Sequence, residues 1–137
     1  MLTIALAKQV ASRAAEAAAA IPCAMSIVIV DSGANLMYAE RMDDALLASV
    51  EVARKKARSA VLFKRPTKAF EDMLAAGRMA ILSLPEAMPI EGGVPLILDG
   101  RVEGAIGVSG GTAQQDGLVA TAAAGWLSER KLSEKTP

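Results

Sequence analysis

The side chains in this sequence that could do chemistry are carboxylates, amines and guanidinium groups, because the chain has no histidine and one cysteine, Cys23. Without histidine there is no Ser-His-Asp or Cys-His catalysis, no His-ligated zinc and no haem iron bound through imidazole. Gly107, Ser109 and Gly111 match the nucleophile pattern G-x-S-x-G, but the serine has no histidine base. We therefore do not expect a classical serine hydrolase, and we expect Cys23 to be a small core thiol.

The same glycine-rich stretch has a second interpretation that uses only its backbone. Ser109, Gly110 and Gly111 lead into a predicted helix, and N–H groups exposed at a helix N-terminus suit a carboxylate or phosphate. The alternative is a plain strand-to-helix turn with an N-cap. Thr112 and Gln115 have the spacing of a capping box at this helix start.

A basic run lies in the middle of the chain, with seven cations and no acid over residues 54–68. Its members are Arg54, Lys55, Lys56, Arg58, Lys64, Arg65 and Lys68. Helical geometry places Lys56 on the flank of an apolar stripe, where its charge could reach a cleft, so it is the run's best ligand-binding candidate. We expect the other cations to form a solvated face. No aromatic residues interleave them, as a nucleic-acid site would require.

The overall composition limits the partners of the chain. The 15 basic and 15 acidic residues among 137 cancel, so no net field favours nucleic acid. Hydrophobic residues make up 53% of the chain, which is more than a small domain can bury, and we expect a homo-oligomer. No apolar stretch is long enough to span a membrane, and the N-terminal segment lacks the basic lead of a signal peptide. A cytoplasmic location is the expectation.

The helices and strands that position these residues are predicted to form one α+β domain over residues 1–137. Apolar periodicity and turn residues predict helices over 2–20, 45–63, 67–76 and 113–130. They predict strands over 24–30, 36–42, 94–98 and 101–108, paired as two hairpins. Strands that occur as hairpins predict an antiparallel sheet.

Several motifs together resemble the GlcG/HbpS family, which includes the C-terminal domain of PduO-type proteins. The matching pieces are VDSG (30–33), ERMD (40–43), ARKKA (53–57), PIEGGVP (89–95), DGRVEGAIGVSGG (99–111) and QD (115–116). The resemblance covers roughly residues 3 to 128. It implies a profilin-like sandwich whose antiparallel sheet has five strands and is flanked by helices, so that a further short strand would lie within 78–90. It also implies assembly into dimers and larger oligomers.

The resemblance implies more than one function, because family members are described both as haem- or corrinoid-associated binding proteins and as cofactor-free enzymes of small-acid catabolism. The motif residues present are Arg41, Lys56, Glu91, Gly92, Gly93, Ser109, Gly110, Gly111 and Asp116. Two cations, a carboxylate and exposed amides suit a small carboxylate-bearing molecule.

Our first hypothesis is therefore a pocket for a small anionic organic ligand near a subunit interface, with no metal and no required cofactor. Arg41 and the 109–111 turn would hold the anion, and Glu91 or Lys56 would move a proton in a tautomerisation, hydration or hydrolysis. The alternative is a haem- or tetrapyrrole-binding protein with a ligand other than histidine, which the absence of histidine disfavours.

Overall fold

The computed structural model describes residues 1–135, with side chains through residue 130. Over these residues the helices are α1 (Ile4–Ala20), α2 (Ser49–Phe63), α3 (Thr67–Ala75) and α4 (Ala113–Lys135). The strands are β1 (Ser26–Asp31), β2 (Leu36–Arg41), β3 (Gly93–Leu98) and β4 (Arg101–Ser109), and a 3-10 turn lies at Met79–Ser83. The α+β class predicted from the sequence is confirmed.

Turn chemistry explains why the strands form hairpins. Asp99 and Gly100 connect β3 to β4 with φ of 51° and 76°, the paired positive values that a tight Asp-Gly turn requires. In the turn between β1 and β2, one carboxylate oxygen of Asp31 accepts the N–H groups of Gly33 and Asn35, both at 2.9 Å.

The sheet is antiparallel throughout, in the order β2-β1-β4-β3. Over the described residues it has four strands, so the prediction of a fifth strand, which the resemblance implied, is wrong. The segment where it was expected contains the 3-10 turn and further turns instead. Pro85 and Pro89 have no N–H to donate to a ladder, and Glu86 has a φ of 70°, both of which oppose an extended strand.

The sheet is covered on both faces. One face packs against α2 through Val28, Val30 and Ala105. The other face packs against α1 and α4 through a larger cluster that includes Ile27, Ile29, Leu96, Ile106 and Val108. Alternate residues of β1 therefore enter two different cores, which explains its unbroken apolar run.

Helix α2 lies very close to the central strand β4. A Cβ at Gly107 would collide with the carbonyl oxygen of Ala53, so only glycine permits this approach. Ala53, Ala57 and Ala60 are fully buried, as their 4-3 spacing predicts. Leu46, however, is 68% exposed, because the helix begins at Ser49 rather than near residue 45.

No helix in the described part of the chain is long and apolar enough to cross a bilayer.

Candidate functional site

Most of the predicted site residues lie at one end of the sheet. Ser26 pairs with Arg41 on one side and with Ser109 on the other, so these three residues form a row across β2, β1 and β4. Beyond β4, the carbonyl of Gly92 accepts the N–H of Val108 at 2.9 Å, which places the segment before β3 beside the same end. Most of the residues predicted from the sequence therefore lie at one end of the sheet, but they do not line a single pocket.

Lys56 reaches from α2 into the interior at this end. Its side chain is 1% exposed, and its Nζ donates to the carbonyl of Val108 at 2.9 Å and to Oδ2 of Asp116 at 3.0 Å. Asp116 lies in the first turn of α4, on the opposite side of the sheet. The ion pair therefore joins the two helical layers, and these contacts favour a positioning role for Lys56. Its participation in proton transfer stays a prediction.

Gly92 and Gly93 make room for this lysine. A Cβ on Gly92 would lie 2.8 Å from the Nζ of Lys56, and Gly92 has a φ of 135°. A Cβ on Gly93 would collide with the backbone carbonyl of Lys56. The pair thus serves the close approach of α2 to the start of β3.

The turn before α4 already binds a carboxylate of the protein itself, that of Asp116. Gly111 donates its N–H to Oδ1 of Asp116 at 2.9 Å. The predicted capping box is present, because Gln115 N–H donates to Thr112 Oγ1 at 3.1 Å and Thr112 N–H donates to Gln115 Oε1 at 3.0 Å. This geometry fits the strand-to-helix turn that the sequence left open as the alternative. A ligand role for Gly110 and Ser109 stays a prediction.

Glu91 lies in a groove between α3, the start of β3 and α4. A cavity of about 330 Å³ is lined here by Pro66, Lys68, Ala69, Asp72, Glu91, Gly92, Gly93, Val94, Gly117 and Thr121. A neighbouring cavity of about 620 Å³ shares Lys68 and Glu91. Both volumes fall within the range of small-molecule sites, roughly 300–1,000 Å³. We call this region the α3–α4 groove.

The segment that carries Glu91 is held against α3, and the Glu91 side chain lines the groove. The backbone N–H of Glu91 donates to Oε1 of Glu71 at 3.1 Å. A Cβ on Gly117 would overlap the Glu91 carboxylate, so a glycine in α4 gives it space. Among the described residues, no side chain forms a hydrogen bond or ion pair with this carboxylate, which leaves it available to a ligand.

The α3–α4 groove carries net negative charge. Three carboxylates, Glu71, Asp72 and Glu91, line the groove together with the single ammonium group of Lys68. The pKa of Lys68 is raised, first by its hydrogen bond to Asp72 at 3.1 Å and then by the nearby carboxylates. Lys68 therefore stays protonated, which makes it a poor nucleophile and a cation for binding.

Arg41 lies apart from this groove. It is exposed on the edge strand β2, where its guanidinium donates to the carbonyl of Ala45 at 3.5 Å. Three strand spacings separate it from Glu91, about 14 Å at the backbone. The structure does not bring Arg41 together with Glu91.

Two residues of the groove, Lys68 and Glu71, were not among the predicted site residues. Lys68 was assigned to a solvated face, and Glu71 had no motif around it. The sequence shows only that the two residues lie one turn apart on the short helix α3. Many surface pairs share that spacing, so it does not indicate a site. No group of three or more Cys, Asp or Glu side chains in the described part of the chain could hold a metal ion.

The fold and the groove define an α+β domain with a small-molecule-sized groove at the end of an antiparallel sheet. The chain belongs to the HbpS-like family, because the family model described as haem degrading protein HbpS-like matches residues 2–125. The GlcG/HbpS resemblance stated from the motifs is confirmed.

Several relatives support this assignment. Protein GlcG of Escherichia coli K12 is 41% identical over 85 residues, which are 62% of this chain and 63% of GlcG, so the match spans less than two thirds of that relative. A crystal structure of a double mutant of Streptomyces reticuli HbpS has a TM-score of 0.83 and 31% identity, covering 92% of this chain and 86% of HbpS. The crystal structure of a PduOC–haem complex has a TM-score of 0.77 and 32% identity, covering 86% of this chain and 88% of PduOC.

Proposed function

We propose that this protein binds haem or a related tetrapyrrole through contacts other than an iron–imidazole bond. The observation that carries the proposal is the haem complex of PduOC, which is 32% identical to this chain and similar over most of both chains. The description of the matching family points to the same ligand. Both weigh against our expectation that no cofactor is required and favour the alternative drawn from the sequence.

The residues of this chain fit the carboxylates of such a group better than its iron. The chain has no imidazole. Tyr38 donates to Glu40 at 3.4 Å, and the charge of Glu40 raises the pKa of Tyr38, which opposes the phenolate that an iron would need. The ammonium group of Lys56 already forms a buried ion pair with Asp116. The exposed Lys55 on α2 carries a positive charge that could pair with a propionate.

A bound haem would supply an iron centre for electron-transfer or oxygen chemistry. The role of this chain's own residues is to bind the carboxylates, to pack against the apolar faces and to exclude water from them.

A titration with hemin tests the proposal. We expect a saturable change of the Soret band and a rise in the melting temperature, because a ligand that binds only the folded state stabilises it. The spectrum should lack the features of imidazole ligation. A linear, non-saturating response with no thermal shift would contradict the proposal.

We further propose that the protein is a homo-oligomer, as its composition predicts. Large apolar side chains are exposed in the described structure, including Leu47 at 85%, Met79 at 64% and Leu118 at 61%. Apolar surface of this kind is characteristic of subunit contacts. Light scattering after size-exclusion chromatography tests this, and a mass of 14.2 kDa at micromolar concentration would contradict it.

A second candidate function is proton transfer on a small oxo or enol acid in the α3–α4 groove. The observation that favours it is the half-buried Glu91 carboxylate, which faces a cavity of about 330 Å³ with no side-chain partner among the described residues. Such a carboxylate can act as a general base. Lys68, the one cation in the lining of the groove, could pair with the carboxylate of a monoanionic substrate.

A thermal-shift screen of small organic acids tests this candidate, with Glu91→Gln as the diagnostic variant. We expect a ligand that stabilises the wild type and a turnover that Glu91→Gln abolishes while the fold stays intact. Glu129→Gln, which removes an exposed carboxylate elsewhere on α4, is the control. Full turnover in Glu91→Gln would remove Glu91 from the mechanism.

A further inference from the structure

The cavity of about 330 Å³ in the α3–α4 groove has more negative than positive charge in its lining. Two carboxylates, Asp72 and Glu91, and one ammonium group, Lys68, line it. Lys68 donates a hydrogen bond to Asp72 at 3.1 Å, whereas the Glu91 carboxylate accepts none from the described residues. The charged group that still lacks a hydrogen-bond partner in this cavity is therefore a carboxylate.

Helix α4 makes room for that carboxylate. A Cβ on Gly117 would overlap Oε2 of Glu91, so the carboxylate lies directly against the helix backbone. On its other side, residue 91 is held by the hydrogen bond from its N–H to Glu71. Because these contacts limit the positions of Glu91 before a ligand enters, they lower the entropic cost of binding one.

The rest of the cavity lining is small and mostly apolar. Apart from the charged residues and Thr121, it consists of Pro66, Ala69, Gly92, Gly93, Val94 and Gly117. The volume lies at the lower end of the range for small-molecule sites, roughly 300–1,000 Å³. The described lining contains no aromatic ring, so a quaternary ammonium group would not find the π face that such groups prefer.

We infer that this cavity binds a small organic cation, a primary ammonium group on an apolar body. The ammonium group would donate to the Glu91 carboxylate in a charge-assisted hydrogen bond, and the body would pack against Pro66, Ala69 and Val94. A metal ion fits less well, because the described residues contain no group of three or more Cys, Asp or Glu side chains that could hold one. The inference does not depend on tetrapyrrole binding.

An organic anion would meet less favourable conditions in the same cavity. Its carboxylate would have to compete with Asp72 for Lys68, and it would approach the negative charge of Glu91. The cation instead meets an acceptor for which no described side chain competes. The ligand class therefore differs from the small acid of the second candidate function.

The test uses three probes that share one ring: benzylamine, benzoate and benzyltrimethylammonium. Isothermal titration calorimetry at neutral pH measures the Kd of each for the full chain. We expect saturable binding of benzylamine, and binding at least about tenfold weaker for the other two, because each lacks either the positive charge or the N–H donors. No binding of benzylamine, or equally tight binding of either other probe, would overturn the inference.

Two variants connect the binding to Glu91. Glu91→Gln keeps the size of the side chain but removes its charge, and it should weaken benzylamine binding at least about tenfold. Gly117→Ala places a methyl group where the carboxylate lies, so this flexible side chain must move. The variant should bind benzylamine more weakly although its melting temperature rises, because alanine favours the helix.

Gly125→Ala is the matched control in α4, since nothing lies within 4 Å of its Cβ position. It should raise the melting temperature in the same way and leave the Kd for benzylamine unchanged. Unchanged benzylamine binding in Glu91→Gln would overturn the inference. A wild type that binds benzylamine but not hemin would overturn the proposed function and leave this inference intact.

Discussion

The ammonium of Lys56 and the carboxylate of Asp116, 60 residues apart in sequence, form an ion pair of 3.0 Å that is almost fully buried. The remaining contacts of both groups are protein atoms as well: Val108 carbonyl for Lys56 and Gly111 N–H for Asp116. The pair joins α2 to α4 around the end of the sheet. It therefore connects α2, on one face of the sheet, to the helix that lines the α3–α4 groove on the other.

Lys56→Met should destabilise the fold by about 3–5 kcal/mol, because it leaves the Asp116 carboxylate buried without its counter-ion. Chemical unfolding measured by circular dichroism checks this. Lys55→Met, on the exposed neighbour, should change stability by less than about 0.5 kcal/mol. The double variant Lys56→Met/Asp116→Leu should lose less than Lys56→Met alone, since no unpaired charge remains. A double variant that loses the sum of two single changes would contradict the coupling.

Gly107→Ala should destabilise the protein by about 3 kcal/mol, because the added methyl group collides with the Ala53 carbonyl and forces α2 away from β4. Gly125→Ala is the matched control. Nothing lies within 4 Å of its Cβ position in α4, so it should stabilise the protein by about 0.5–1 kcal/mol through helix propensity. Urea midpoints of the two variants should shift in opposite directions. Equal shifts would show that α2 does not depend on this close approach.

Local turn and helix chemistry made much of the fold predictable. The Asp99-Gly100 turn predicted the β3–β4 hairpin, and Thr112 with Gln115 predicted the start of α4, because each signal acts between residues close in sequence. The start of α2 was predicted too early, because the apolar Leu46 extends the helical spacing although it is exposed.

The site was less predictable, because it depends on contacts between residues that are far apart in the sequence. The spacing around Lys56 placed it on a flank of α2, but its burial depends on Asp116 and on the glycines at 92 and 93, which no local pattern connects. The α3–α4 groove likewise needs α3, residue 91 and α4 to come together. Arg41 was grouped with Glu91 by the resemblance, and only the strand order shows that β1 and β4 lie between them.

The ionisation of Tyr38 should occur above its usual pKa of 10.0, since the charge of Glu40, burial and the hydrogen bond to Glu40 all favour the neutral phenol. Tyr38 is the single tyrosine of the chain, so ultraviolet difference spectroscopy reports it directly. As the pH rises through the usual value, the unfolded chain loses this proton first, and the contribution of Tyr38 to stability falls. Glu40→Gln should return the pKa toward 10.0. An unchanged titration in that variant would contradict the assignment to Glu40.

Lys64→Gly should stabilise the protein by about 0.5–1 kcal/mol. Lys64 ends α2 in the left-handed region, with φ of 53° and ψ of 43°, a conformation that costs an L-residue energy and that glycine adopts freely. Lys55→Gly, in the interior of the same helix, should instead cost about 1 kcal/mol. Thermal and urea unfolding of both variants measure the contrast. If Lys64→Gly destabilised the chain as Lys55→Gly does, the side chain of Lys64 would contribute more than its backbone conformation costs.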